Sequence, residues 1–192
     1  MSLSLLEALA AALTLASVIL TSHLRKALYP VGLAATALYA VVFWQAHLYA
    51  SAALQAYFIV IQLYGWWFWS RGDAGREPPI GTWRWTTIGL LLLPAAALTV
   101  GVSMALARLT DAVTPVWDTA ILALSVLAQF LLDRKQIRHW IVWAVTDVIA
   151  VFVYGGQGLW VTAGLYLLLL INVAYGWIRW RRALRLQMDA AA

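Results

Sequence analysis

The sequence predicts an all-α membrane protein: seven transmembrane helices, arranged as two parallel three-helix repeats joined by a connecting helix. Three observations predict it. The chain is far more apolar than a water-soluble domain. Its basic residues gather on alternate connections. Its two halves align at a constant offset of 111 residues, the separation of Trp69 from Trp180.

Of 192 residues, 64% are hydrophobic and 11% charged, whereas a soluble domain carries about 25% charged residues. The mean hydropathy is +0.82. The length suits one helical bundle, so residues 1–192 read as a single transmembrane domain with no added soluble domain. A net charge of +5 could suggest nucleic acid. The basic residues, however, sit in short connections between apolar runs, the pattern of the positive-inside rule. The absence of cysteine excludes disulfides and thiolate metal sites. His23, His47 and His139 lie near helix ends without metal-ligand spacing, so neither a metal nor a cofactor is expected. The N-terminus is apolar, contains Glu7 and has no basic region before it. It reads as the first span rather than a cleaved signal.

A span needs about 20 mostly apolar residues. Seven runs qualify: residues 3–20, 27–43, 48–69, 85–107, 115–132, 138–154 and 158–180. Pro30 falls in the first turn of the second, where it is tolerated. Pro94 lies inside the fourth and is expected to kink it. The longest connection, SRGDAGREPPIGTWR over residues 70–84, is rich in Gly, Pro and charge and reads as a loop.

Basic residues orient the bundle. Arg25 and Lys26 lie in the first connection. Arg71, Arg76 and Arg84 lie in the third, and Arg134, Lys135 and Arg138 in the fifth. Arg179, Arg181, Arg182 and Arg185 follow the last span, leaving Arg108 alone on the other side. The bias predicts an N-terminus outside and a C-terminus in the cytoplasm.

The repeat is visible in LYASAALQAYFIVIQLYGWWFWSR (residues 48–71) against LWVTAGLYLLLLINVAYGWIRWRR (residues 159–182). Leu48, Ala52, Leu54, Tyr64, Gly65, Trp66, Trp69 and Arg71 are identical to their counterparts. The same offset carries Tyr29 to Trp140, Gly32 to Trp143, Thr36 to Asp147 and Phe43 to Tyr154. Repeat one is therefore residues 3–71, the connecting helix 85–107 and repeat two 115–182. Four spans separate each helix from its counterpart, so the two repeats run in the same direction. Parallel repeats mark one class of transporter, with the substrate site between them near the midplane.

Asp147 is the most informative single residue. It lies within WIVWAVTDVIAVFVY, residues 140–154, where a carboxylate costs about 2.5 to 3.5 kcal/mol on insertion scales. Trp140, Trp143, Asp147 and Tyr154 share one helical face. Two indoles, a carboxylate and a phenol make a plausible wall for a flat, polar or cationic organic molecule; the alternative is a packing face whose Asp bonds a neighbouring helix. On the third span Gln55 and Gln62 share a face with Trp66. Gln55 reads as a ligand contact, whereas for Gln62 ligand contact and interhelical bonding both stay open. Asn172 is the polar member of a face on the seventh span, bordered by Tyr166. Thr36 and Trp140 are further candidates. The YGWxxW motifs place Trp69 and Trp180 in an interfacial aromatic belt. Gly65 and Gly176, at matching points, read as sites of close helix approach or of hinge motion that gates the pathway. No P-loop, HExxH or GxSxG motif occurs, so catalysis is not expected.

Two stretches, HLYASAALQAYFIVIQLYGWWFW and RHWIVWAVTDVIAVFVYGGQGLWVTAGLYLLLLINVAYGWIRW, resemble the PnuC family of bacterial vitamin transporters over nearly the whole chain. The resemblance implies a full-length SWEET-like three-one-three fold, often a homotrimer, in the lipid of the bacterial inner membrane. It implies facilitated diffusion of a vitamin precursor that a cytoplasmic kinase then traps. Nicotinamide riboside is the best-known substrate; similar proteins carry thiamine or riboflavin. Members carrying nicotinamide riboside often have Asn at the position of Asp147. Carried over, the pocket is Gln55, Trp66, Trp143, Asp147, Tyr166 and Asn172. The competing expectations are a thiamine carrier of the same fold and, from another class, a non-transporting membrane subunit.

Overall fold

A backbone inside a bilayer must satisfy its own hydrogen bonds, and a helix does so within one segment. The seven apolar runs accordingly form seven helices. In the computed structural model they are α1 (Leu3–Ser22), α2 (Leu28–Gln45), α3 (Tyr49–Arg71), α4 (Trp85–Leu109), α5 (Pro115–Asp133), α6 (His139–Gly156) and α7 (Trp160–Asp189). The shortest has 18 residues, about 27 Å at 1.5 Å per residue, close to the roughly 30 Å of hydrocarbon in a bilayer. The structure describes residues 3–45, 49–72, 77–109, 115–156 and 160–190. His47, Leu48, Arg76, Gly158 and Leu159 lie outside the described residues, as do the side chains of Phe43, Ala52, Leu54 and Tyr154.

Six helices follow the expected spans closely, and α4 runs unbroken through Pro94. The seventh differs. It continues past residue 180 to Asp189. The extension, RRALRLQMD, is too polar for hydrocarbon, yet Ala, Leu, Arg, Gln and Met are all good helix formers. Hydropathy marks where the bilayer ends, not where the helix does.

Large apolar side chains face outward along several helices: Val60 on α3, Leu90, Leu93 and Val100 on α4, Phe152 on α6, Ile171 on α7. Such a surface is a liability in water and at home in lipid.

The chain divides into two compact units. Unit 1 takes Met1–Ile80, Asp133–Lys135 and Ile178–Ala192; unit 2 takes Gly81–Leu132 and Gln136–Trp177. In unit 1, α1 packs on α2 and α2 on α3. The three meet at Gly32, where a Cβ would collide with the side chains of Ser17 and Gln62. Ser17 Oγ donates to Leu28 O at 2.9 Å. Gly72, with φ of 52°, ends α3 by donating its N–H to Phe68 O at 2.7 Å, the left-handed helix stop that glycine favours. In unit 2 the core is Ile88 of α4, Leu127, Ala128 and Leu131 of α5, and Val142 of α6.

The offset of 111 reappears in the backbone. Among the described residues, two non-glycine residues have positive φ, Leu24 at 54° and Lys135 at 55°. They turn the corners between α1 and α2 and between α5 and α6. Around Leu24 the bonds are Arg25 N to Leu20 O, Leu28 N to Arg25 O and Tyr29 N to Lys26 O. Around Lys135 they are Gln136 N to Leu131 O, His139 N to Gln136 O and Trp140 N to Ile137 O. Each bond has its counterpart 111 residues on.

Candidate functional site

The candidate residues fall into both units, and each set is built here on its own helices. In unit 2, α6 carries Trp140, Trp143 and Asp147. Trp140 is buried beside His139, ring centroids 4.4 Å apart. Trp143 is half-buried against the apolar core of that unit, on which Trp83, Leu91 and Leu124 also pack. Asp147 is 2% exposed. Its carboxyl makes no hydrogen bond or ion pair with any described residue. A buried polar group is normally bonded, and an unpaired buried charge is costly. The preceding residue, Thr146, also buried, spends its hydroxyl on Val142 O at 2.9 Å. Tyr166 and Asn172 are half-buried on α7, and both have polar or ring partners. Gly176 is buried on the same helix.

In unit 1, two candidates find each other. Gln62 Nε2 donates to Thr36 Oγ1 at 2.9 Å, and Thr36 donates to Gly32 O at 2.9 Å. This is the interhelical bond that the sequence left open, joining α3 to α2. Gln55 is half-buried on α3. Trp66 is 39% exposed and lines a shallow, open hollow of about 260 Å³ with Leu63, Trp67 and Ser70. Gly65 is buried. A Cβ there would strike the Asp133 carboxylate and the Tyr29 hydroxyl, so close approach is the role its surroundings require.

The aromatic belt needs correcting. Trp69 and Trp180, expected at the lipid interface, are both 0% exposed. Their rings lie 5.7 Å apart, and Trp180 Nε1 donates to Thr21 O at 2.9 Å. Once its N–H has a partner, an indole is chiefly a large apolar body and gains more from the interior than from the interface. The exposed positions of the two motifs are Trp66, Trp67, Tyr175, Ile178 and Arg179.

A polar cluster surrounds this pair, and nothing beyond the charge count foretells it. Tyr29 meets Trp69 edge-on, with centroids 5.7 Å apart, and donates to Asp133 at 3.1 Å. Lys135 Nζ lies 4.8 Å from the centre of the Trp69 ring. It also donates to Glu77 at 2.6 Å and to Pro78 O at 2.9 Å. Glu77 reaches Lys26 as well, at 3.0 Å. Burial opposes ionisation of Glu77, but its bonds to Lys135 and Lys26 prevail and hold its carboxyl below the usual range. Burial pushes the Lys135 ammonium below the ordinary lysine range, against the raising effect of Glu77. Arg134 donates to Tyr64 and lies 4.7 Å over the Phe68 ring.

The 77–83 segment is thus more than a loop. Ile80 pairs with Gln187 through both its N–H, at 2.9 Å, and its C=O, at 3.3 Å. In unit 2, Gly81 bridges to Gln136, and Trp83 N donates to Gln136 Oε1 at 3.0 Å.

Residues 4–182 match the family model described as nicotinamide mononucleotide transporter. Among curated proteins, the nicotinamide riboside transporter PnuC of Escherichia coli is 27% identical over 184 residues, covering 82% of this chain and 77% of that one. The riboflavin/roseoflavin transporter RibM of Streptomyces davaonensis is 26% identical over 153 residues, covering 76% and 72%. A crystal structure of the vitamin B3 transporter PnuC matches with a TM-score of 0.74 at 21% identity, covering 95% of this chain and 83% of that chain. The likeness is one of fold.

Proposed function

The chain belongs to the nicotinamide mononucleotide transporter family, an all-helical multi-pass family of the inner membrane, and from that premise we propose that it is a facilitated-diffusion carrier of a vitamin precursor, nicotinamide riboside first. Transport is downhill, and phosphorylation in the cytoplasm retains the product. The N-terminus lies outside and the C-terminus inside. The working form is a homotrimer of bundles, each built as three helices, a connecting helix and three more.

The observation that carries the substrate class is Asp147. A buried carboxylate with no partner among the described residues is stabilised by a cationic ligand, and nicotinamide riboside bears a fixed positive charge on a flat heteroaromatic ring. Trp143, one turn earlier on α6, supplies an aromatic surface; a cation on an indole face gains up to about 2 kcal/mol when desolvated. Tyr166 and Asn172 of the same unit add polar selectivity, while Gln55 and Trp66 stand as candidates within unit 1. Thiamine carries a comparable charge and is the second reading on the same observation. Riboflavin, named for one relative, is neutral and would leave Asp147 uncompensated.

Uptake into liposomes holding the purified protein, without ATP or an ion gradient, tests the carrier. No uptake of any of the three vitamins would overturn it. A thermal-shift comparison ranks them, because a ligand bound only to the folded state adds about 2.7 kcal/mol at a hundredfold excess over Kd.

A further inference from the structure

The cluster around Glu77 has a geometry that substrate binding does not use. Glu77 sits on the connection between α3 and α4. Its two oxygens separate onto two lysines, Lys26 at 3.0 Å and Lys135 at 2.6 Å. Lys26 belongs to the corner after α1, and Lys135 is itself the left-handed residue of the corner after α5. Those corners are 111-residue counterparts in backbone form, so one carboxylate reaches both, although Lys26 matches Ile137 and Lys135 matches Leu24. Lys135 then holds Pro78 O and covers Trp69, which packs on Trp180 and Tyr29. The corner after α1, the connection after α3 and residues 133–135 are tied within unit 1 through one carboxylate and two ammonium groups, and α7 joins them through the Trp69–Trp180 contact.

The two groups are unequal in a way that suits a latch. The Lys135 side chain is 7% exposed and the Glu77 side chain 43%. An exposed carboxylate is readily rehydrated when it lets go, so parting costs far less than for a fully buried pair. Ile80, three residues along, stays fastened to Gln187 by its backbone, so a released Glu77 has little distance to return.

We propose that Glu77, bridging Lys26 and Lys135, is a clasp that keeps the Arg-rich end of unit 1 shut, and that the clasp parts each time this end opens. The proposal rests on the carrier reading for its purpose, but its test needs no substrate. The natural chain has no cysteine. Ser22, at the end of α1, is 0% exposed and gives a single buried reporter as Ser22→Cys. The full chain in nanodiscs, where both faces are accessible, is treated with a water-soluble maleimide.

Adding Glu77→Gln to the reporter is expected to raise the labelling rate about tenfold, the population shift that about 1.4 kcal/mol brings. Lys26→Gln, which spares the Lys135 arm, gives a smaller rise, and Glu77→Asp stays near the parent rate. Ala150→Cys, a second reporter at 0% exposure in unit 2, does not respond. An unchanged Ser22→Cys rate in Glu77→Gln overturns the clasp. So does an equal rise at both reporters, which would signal general loosening. Transport failure with the Ser22→Cys response intact would sink the carrier reading and leave the clasp standing.

Discussion

The corner at Leu24 and the corner at Lys135 share a backbone and almost nothing else. Both adopt positive φ, within a degree of one another, and both repeat the same bonds. Neither residue is glycine, although glycine would take that conformation without strain. At the first corner the left-handed residue is an apolar Leu; at the second it is a buried Lys bonded to Glu77 and Pro78. The two halves therefore preserve the path of the chain while their side chains take up different work. Three bonds recur although Leu20 and Leu131 are the single identical pair between residues 20–29 and 131–140.

Glycine substitution separates the two corners most sharply. Left-handed backbone costs a residue with a Cβ roughly 1–2 kcal/mol. Leu24→Gly recovers that and loses some packing, so its stability should stay within about 1 kcal/mol of the parent. Lys135→Gly recovers the same strain but strips Glu77 and Pro78 of a buried partner, and a net loss of about 2–3 kcal/mol is expected. Melting curves in detergent measure both; equal shifts would mean that the side chains at the two corners do equivalent work.

A similar contrast holds between glycines. Gly65→Ala forces a methyl against Asp133 and Tyr29 and should cost about 1–3 kcal/mol. Gly164→Ala on α7 meets nothing within 4 Å and should be neutral or gain up to about 1 kcal/mol. If Gly65→Ala melts like the parent but transports slowly, the hinge reading of Gly65 is favoured over close packing.

Thr36 and Asp147 occupy matching positions in the two halves, and among the described residues Thr36 is bonded and Asp147 is not. Asp147→Asn should weaken a cationic ligand about tenfold more than its neutral isostere, because a charge-assisted contact becomes a neutral one. Thr36→Val removes the bond to Gln62, worth about 0.6 kcal/mol in a membrane protein, and should affect both ligands alike. Calorimetric titration of the charged and neutral pair decides it: equal losses in Asp147→Asn would reduce Asp147 to packing.

The smallest effect is one of pH. The folded Glu77 carboxyl is held below its ordinary value of 4.5, so its contribution is complete above that value and fades as pH falls through the lower folded one. The melting difference between the parent and Glu77→Gln should shrink on acidification. A difference that widened in acid would reverse the sign of the shift.

The helices were legible because each apolar run has the length of a bilayer, and the short connections left few ways to join them. The candidate site was legible only in part. Asp147 announces itself as a carboxylate among apolar residues, whereas Gln62 and Thr36 gave no sign that they would bond each other across 26 positions. The Glu77 cluster was hidden for a different reason. Arg and Lys in connections carry the orientation signal, and that signal is a count. It says which side a residue occupies, never which partner it holds. Trp69 and Trp180 misled because a Trp near an Arg at a span end is the mark of an interface, while burial depends on which way one turn of helix faces.

Gln187 treats Ile80 as a neighbouring strand would, taking up its N–H and its C=O together. Such a grip is blind to the side chain at position 80 but exacting at position 187. Glutamate lacks the donor, leucine lacks both groups, and asparagine is one carbon short. The grip also lies past the last hydrophobic turn. A chain trimmed to Arg182 would keep all seven spans, insert and fold by every hydropathy criterion, and yet leave Ile80 without its grip while Glu77, Pro78, Gly81 and Trp83 keep theirs.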